Sequence, residues 1–196
     1  KKNMKIQSNL NLLKSDLQRY ADYWDQSQHP DVMRYREFVE STDMCCFRSH
    51  LAGHCTGSAF VVDPSWQKVL LLYHPFLQRW LQPGGHADGD PDLLAVATRE
   101  AHEETGLPLE AFHPVELGGR QRVPFDLDIH PIPARKKEPE HFHYDLRFLL
   151  TADPDLKLQP ESSEMKLAWL PLERVADYTD EESVLRMVRK IGVLKK

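Results

Sequence analysis

The sequence predicts an α+β fold, a mixed β-sheet sandwiched between helices, with a helical hairpin added on its N-terminal side. Three observations carry this. Apolar residues recur with helical spacing before residue 50, strand-length apolar runs follow, and one strongly marked helix interrupts those strands. At 196 residues, 41% apolar and 28% charged, the chain can bury one core plus an appendage and is too apolar to be disordered.

Ile6, Leu10, Leu13, Leu17, Tyr20 and Trp24 alternate steps of four and three, which draws one stripe along an α-helix. His29-Pro30-Asp31 interrupts it, and Val32, Tyr35, Phe38 and Val39 form a second, shorter stripe that Pro30 or Asp31 starts. This pair makes an N-terminal helical extension over residues 1–50, with the main domain over 51–196. The extension is expected to pack on that domain; a homodimer interface or a lid is the alternative use of the same stripe. Strands are expected at 58–62 and 68–73, turned by Asp63-Pro64-Ser65-Trp66, with a short one at 79–81 before a break at Pro83-Gly84-Gly85. A helix fits 91–105, with Asp90 as N-cap, Pro91 in the first turn and Gly106 as the stop. Further strands are expected near 115–123, 141–150 and 167–170, a long proline-rich loop over 124–139, and a last helix over 181–190.

Composition excludes several classes. Lys and Arg number 25 against 30 Asp and Glu, a net charge of −5, so nothing marks a nucleic-acid binder. The longest apolar run, residues 69–73, is far short of the roughly 18 residues of a membrane span. Lys1-Lys2 leads into polar sequence, not the apolar core of a signal peptide. Cys45, Cys46 and Cys55 are too few and too badly spaced for a disulfide framework, and read as free buried thiols in a cytoplasmic protein.

The chemistry concentrates between Gly84 and Leu107. At about 3.6 residues per turn, Glu100, Glu103 and Glu104 share an arc of roughly 100°. That arc borders the apolar one formed by Leu94, Ala97 and Ala101. Three carboxylates at the edge of a packed face repel one another and lose solvation. Arg99 can pair with Glu103 at i, i+4, but one guanidinium does not neutralise three acids. A hard divalent cation does, taking oxygen ligands and keeping waters that phosphate oxygens can replace. A solvated acidic face is the bland alternative, and the glycines on either side of the helix weigh against it.

Gly85, Arg99-Glu100 fourteen residues on, Glu103-Glu104 and Gly106-Leu107 together resemble the signature of the Nudix hydrolases. That spacing arises by chance in a chain of this length with odds on the order of 10⁻⁵. The resemblance covers residues 85–107; the remaining strand and helix order is compatible with the Nudix fold, and the first fifty residues lie outside its usual core. One position departs: Pro91 stands where the family usually carries a supporting glutamate, with Asp90 and Asp92 on either side of it.

The resemblance implies metal-dependent hydrolysis of a nucleoside diphosphate linked to another group, by water attack on phosphorus, with Mg²⁺ or Mn²⁺ as cofactor. Glu100, Glu103, Glu104 and the carbonyl of Gly84 would hold the metals, and Arg99 would keep the carboxylates in register. Glu100 is one candidate for the base; Glu164, in a loop ahead of the Trp169 strand, is the other. A non-catalytic nucleotide sensor on the same fold is a second reading, motivated by Pro91 and the extension. An isopentenyl diphosphate isomerase ranks last, since it needs a positioned cysteine and only Cys55 is near a core strand.

Outside the signature, His141, His143, Asp145 and Arg147 alternate with Phe142, Tyr144, Leu146 and Phe148, putting the polar groups on one strand face. That face is a candidate substrate wall, with Arg147 or His143 on phosphate oxygens. Zinc ligation by His141 and His143 ranks below it, because no third soft ligand stands nearby in sequence. Arg120, Arg122, Arg135, Lys136 and Lys137 are a basic run in a loop, and Tyr73 and Trp80 are aromatic groups better suited to the core than to stacking on a base.

Overall fold

The structure, a computed structural model, describes residues 2–135 and 138–195, with side chains from residue 10 onward. Lys136 and Lys137 of the basic run, and the side chain of Ile6, lie outside the described residues. The elements run α1 (Lys2–Tyr23), α2 (Pro30–Ser41), β1 (Gly53–Val62), β2 (Lys68–His74), β3 (Arg79–Leu81), β4 (Gly84–His86) and α3 (Leu93–Thr105). They continue with β5 (His113–Pro114), β6 (Asp126–Ile132), β7 (His141–Thr151), β8 (Lys166–Pro171) and α4 (Glu182–Leu194).

The sheet is mixed. Strand β1 runs parallel to β7 along its whole length, from Gly53↔Phe142 to Val62↔Thr151. On its other side it meets β4 antiparallel near the start and β2 antiparallel near the end. Strand β8 pairs with β2, and β5 and β6 pair with β7. Helix α3 covers one face of β1 and β7. It comes so close at Gly57 that a Cβ there would stand 2.6 Å from the Leu93 carbonyl oxygen. Leu93, Ala97 and Ala101 join Cys55, Ala59, Leu146 and Phe148 in that core layer. Helix α4 covers the other face, where Val184, Met187 and Ile191 pack on Phe60, Val62, Val69 and Leu149.

The hairpin closes over the α3 side of the sheet. Leu13, Leu17, Val32 and Tyr35 are buried in the same layer as α3. The Tyr35 hydroxyl donates to the Tyr144 carbonyl at 2.8 Å, and Phe38 stacks on the Tyr144 ring at 3.9 Å. Asp16, buried in α1, accepts from Arg122 at 2.9 Å, and the Trp24 indole N–H donates to the Pro124 carbonyl at 3.1 Å. From Leu10 on, the α1 stripe is therefore spent on its own chain.

Four expectations need correction. The strand near 115–123 is absent: Leu117 and Arg120 exchange hydrogen bonds around Gly118 and Gly119, both at positive φ, which makes a tight turn. Conversely, the proline-rich loop contains β6. Asp126, Asp128 and His130 alternate with Leu127 and Ile129, and Pro131 is tolerated because, among the described residues, β6 pairs with β7 alone. The central helix begins at Leu93 rather than Pro91, because Asp92, not Asp90, is the cap: its side chain accepts from the Ala95 amide at 3.1 Å. Gly84 to His86, read as a break, is a short strand on β1. No helix among the described residues is long and apolar enough to cross a membrane.

Candidate functional site

The end of α3 carries the acids. Gly106 terminates the helix in the left-handed conformation at φ 70°, its N–H on the His102 carbonyl. Just before it, Glu104 turns inward and accepts from the Gly84 amide at 3.0 Å. Glu100 lies beside β4, so close that a Cβ on Gly85 would stand 2.2 Å from its Oε2. Glu103 stays more exposed. Arg99 is the shared cation: it donates to Glu100 at 2.9 Å and to the His86 carbonyl at 3.0 Å, and lies 3.9 Å from Glu103. It thus ties the carboxylates to β4.

This charge balance is incomplete. Burial, followed by repulsion from Glu100, Glu161 and Glu103, pushes Glu104 up to about 8 against the pull of the Gly84 amide. Burial also raises Glu100, opposed by Arg99. Without added positive charge the inner carboxylate holds a proton at neutral pH. An all-oxygen donor set that must shed protons to be fully charged fits a hard divalent ion. In this respect the residues suit Mg²⁺ or Mn²⁺.

Flanking aspartates anchor the loop in which Pro91 replaces the usual glutamate. Asp90 accepts from the Asp92 amide at 2.9 Å, and Asp92 both caps α3 and pairs with Arg122 at 2.9 Å. Arg122 is thereby committed to Asp16 and Asp92 rather than to a substrate.

Across the sheet the α4 face changes character. Under α4 it is apolar; beyond it lie His54, Thr56 and Ser58 of β1, His143, Asp145 and Arg147 of β7, and Asp126, Asp128 and His130 of β6. Period two on each strand, with the observed register, aligns these rows side by side. All of them except His54 and Asp126 floor a cavity of about 800 Å³ whose wall also includes Gly84, Gly85, His86, Glu100 and Arg135. This volume lies within the range of small-molecule sites.

Arg147 is in that floor but heavily engaged. Its side chain is 2% exposed; Nε donates to Asp145 at 2.7 Å, and the terminal nitrogens reach Asp126 at 3.4 Å, Asp128 at 3.2 Å and the Ser183 carbonyl at 3.2 Å. Arg186 and Lys190 of α4 also converge on Asp126, each at 2.7 Å. Burial works to raise Asp126 and Asp128, yet hydrogen bonds from Arg186 and His130 and the charges of Lys190 and Arg147 hold both below the usual carboxylate range. A phosphate could claim Arg147 only by displacing one of these acceptors. His143 lines the cavity with its Nε2 buried and unpartnered.

Glu164 is exposed in a turn and is not part of the cavity wall; it is Glu161, three residues earlier, whose charge acts on Glu104. Cys55 faces the α3 core, fully buried beside Cys45 and Cys46, on the side of β1 away from the cavity. The cysteine that an isomerase would need is not at the site. Tyr73 and Trp80 pair edge to face at 5.6 Å, and Arg135 lies over the Phe76 ring. His54, His86 and His130 were not singled out as site residues from sequence. The polar alternation at 54, 56 and 58 was the available signal, and only strand register reveals what it faces.

Residues 56–191 match the model of the NUDIX domain family. Among solved structures, an Ap4A hydrolase of C. elegans in a binary complex is 20% identical with a TM-score of 0.53, covering 71% of this chain and 95% of that one. A NUDIX-family hydrolase from Clostridium perfringens is 24% identical with a TM-score of 0.53, covering 72% and 97%. RenU, a Nudix hydrolase from M. smegmatis, is 21% identical with a TM-score of 0.52, covering 72% and 86%. These likenesses carry the fold. No curated protein matches the chain.

Proposed function

This chain belongs to the Nudix family and is a diphosphohydrolase acting on acid anhydrides, and on that premise we propose that it uses Mg²⁺ or Mn²⁺ to cleave the diphosphate bond of a nucleoside diphosphate linked to a further group. The observation that carries this reading is the under-compensated trio at the end of α3, where Glu100, Glu103 and Glu104 share Arg99 and Glu104 is pushed up to about 8. Glu100, Glu103, Glu104 and the Gly84 carbonyl would hold the metal. Its Gly84 amide already points to Glu104, and in a strand the N–H and C=O of one residue leave on the same side. The bound ion supplies charge to neutralise the diphosphate and a lowered pKa for its water.

The protein's own groups do the rest. Arg99 orients Glu100 and Glu103 and holds β4 against α3 through the His86 carbonyl. Glu100 lines the cavity with a raised pKa, so it is placed to take the proton from an attacking water; exposed Glu164 is not. Arg48 and Arg135 stand on the cavity wall as cations for the substrate's phosphates, and His143 faces the same space. The site is built for a small anionic molecule.

The test is phosphatase-coupled phosphate release from a panel of nucleoside diphosphate derivatives, with Mg²⁺, Mn²⁺ or chelator. Metal-dependent turnover of one class by the wild type, with loss in Glu104→Gln, is the expected result. Equal turnover by both proteins would remove the trio from the mechanism.

A further inference from the structure

At the edge of the cavity stands a group of imidazoles to which the hydrolytic reading gives no metal. His54 and His143 are register partners on the parallel strands β1 and β7, and His86 comes from β4, paired one step along at Thr56. Their rings form a nearly equilateral triangle, with centroid separations of 5.0 Å (His54–His86), 4.9 Å (His54–His143) and 5.0 Å (His86–His143). One nitrogen from each can be chosen so that all three lie within 4.8 Å of one another.

Two of these rings lack the partners buried polar groups normally have. His54 is 4% exposed, and neither of its ring nitrogens has a hydrogen-bond partner; Nε2 of His143 is buried and unpartnered as well. An imidazole left in this state forfeits the hydrogen bonds it made to water. Two such rings with His86 closing the triangle, and no carboxylate among them, are poorly explained as packing.

We propose that His54, His86 and His143 form a second metal site, separate from the carboxylates of α3, that takes a nitrogen-preferring divalent transition ion of the zinc class. The donor sets divide the ions between them: carboxylate and carbonyl oxygens suit Mg²⁺ and Mn²⁺, and imidazoles suit Zn²⁺. Zinc–nitrogen bonds of about 2.0–2.1 Å put tetrahedral ligands about 3.4 Å apart, so small ring rotations close the triangle onto an ion. His86 and His143 both line the cavity, which leaves the fourth position of the tetrahedron facing it for a water or an anionic oxygen of a bound molecule.

The surroundings favour the neutral, ligating form. Burial first, then the neighbouring histidines, push His54 down to about 4 and His143 down to about 2. Two further rings hold the triangle in place. His141 stacks on His54 at 4.9 Å with its Nδ1 on the Pro139 carbonyl at 2.9 Å. His130 sets its edge on His143 at 5.4 Å with its Nδ1 on Asp128 at 2.8 Å. Both support the triangle by ring contact, without a hydrogen bond to its members.

The experiment uses the full chain stripped of metal and titrated with Co²⁺ alone. One Co²⁺ per chain with the intense visible absorption of a tetrahedral nitrogen site is expected, displaced by Zn²⁺ and not by Mg²⁺. The signal should persist in Glu104→Gln. It should weaken by at least about 100-fold in affinity in His143→Gln and in His86→Gln. His86→Gln, at the less buried position, serves if His143→Gln fails to fold. Folded wild type without the visible band overturns the proposal, as does a band lost in Glu104→Gln and kept in both histidine variants. A near-ultraviolet thiolate-to-cobalt band also overturns it, because it places the ion on Cys45, Cys46 and Cys55, the other cluster of possible ligands. Hydrolysis and cobalt binding read different residues, so either can fail without the other.

Discussion

At the end of α3, Glu100, Glu103 and Glu104 share one guanidinium, Arg99, whereas across the sheet Asp126, Asp128 and Asp145 share Arg147, Arg186 and Lys190. Burial works to raise the inner acids of both clusters. In the aspartate cluster the three cations, with a hydrogen bond from His130 to Asp128, more than offset it, and Asp126 and Asp128 fall below the usual carboxylate range. In the glutamate cluster one cation does not, and Glu104 rises to about 8. Buried acids with matched cations form a clamp between β6, β7 and α4; buried acids short of a cation are the ones we propose to hold the metal.

The comparison breaks most readily at Asp126. Asp126→Ala leaves Arg147 and Lys190 without their shared acceptor and is expected to cost about 3–5 kcal/mol. Urea unfolding measures this, and added Mg²⁺ should not restore it. The linkage has the ordinary acid sign: with folded pKa values below the unfolded value near 4, the clamp's stabilisation is complete above that pH and is lost as pH falls further. An unchanged midpoint in Asp126→Ala would show that the clamp contributes little.

Glu104→Gln is expected to behave in the opposite way. Turnover should fall by roughly 10²–10³-fold, since a metal-holding charge is gone. In chelator at pH 8 the variant should nevertheless melt higher than the wild type, by roughly 2–8 °C, because a poorly solvated charge has been removed. A drop in both activity and melting temperature would place Glu104 among the structural acids.

The pH dependence of the metal-free wild type sharpens the same point. Because Glu104 titrates at about 8 when folded and near 4.5 when unfolded, the native state holds more protons between these values. Stability therefore declines as pH rises from about 4.5 to 8. Differential scanning at pH 6 and 8 should show this decline in the wild type, and Mg²⁺ should reduce it. Glu104→Gln should lack that slope.

The smallest effect is expected at Glu164. As an exposed loop residue, its change to Gln should leave kcat and KM within about twofold. A loss of 100-fold or more would show that the loop closes over the carboxylates and would move the base from Glu100 to Glu164.

Local patterning in the sequence was enough to determine much of this. The acid arc at 100, 103 and 104 and its arginine follow from helical period alone, and the glycine before and after them frames the site. The polar face of 141, 143, 145 and 147 follows from strand period. Element boundaries failed where local signals misled: prolines masked β6, and Asp90, expected as the cap, lies two residues ahead of Asp92, which caps the helix.

Only tertiary structure decided what those patterns face. From strand period Arg147 reads as a candidate substrate ligand on a polar face, until β6 brings Asp126 and Asp128 beside it. Likewise, His143 on β7 lacks the other two ligands until register sets His54 opposite it and β4 adds His86, while His141 stays outside the triangle. Residues 54, 86 and 143 are separated by about thirty and sixty positions, and no local periodicity links them. Burial, too, belongs to the assembled sheet: the chain encodes the charge of Glu104, but α3 closing over Gly57 and β4 sets how strongly that charge must be answered.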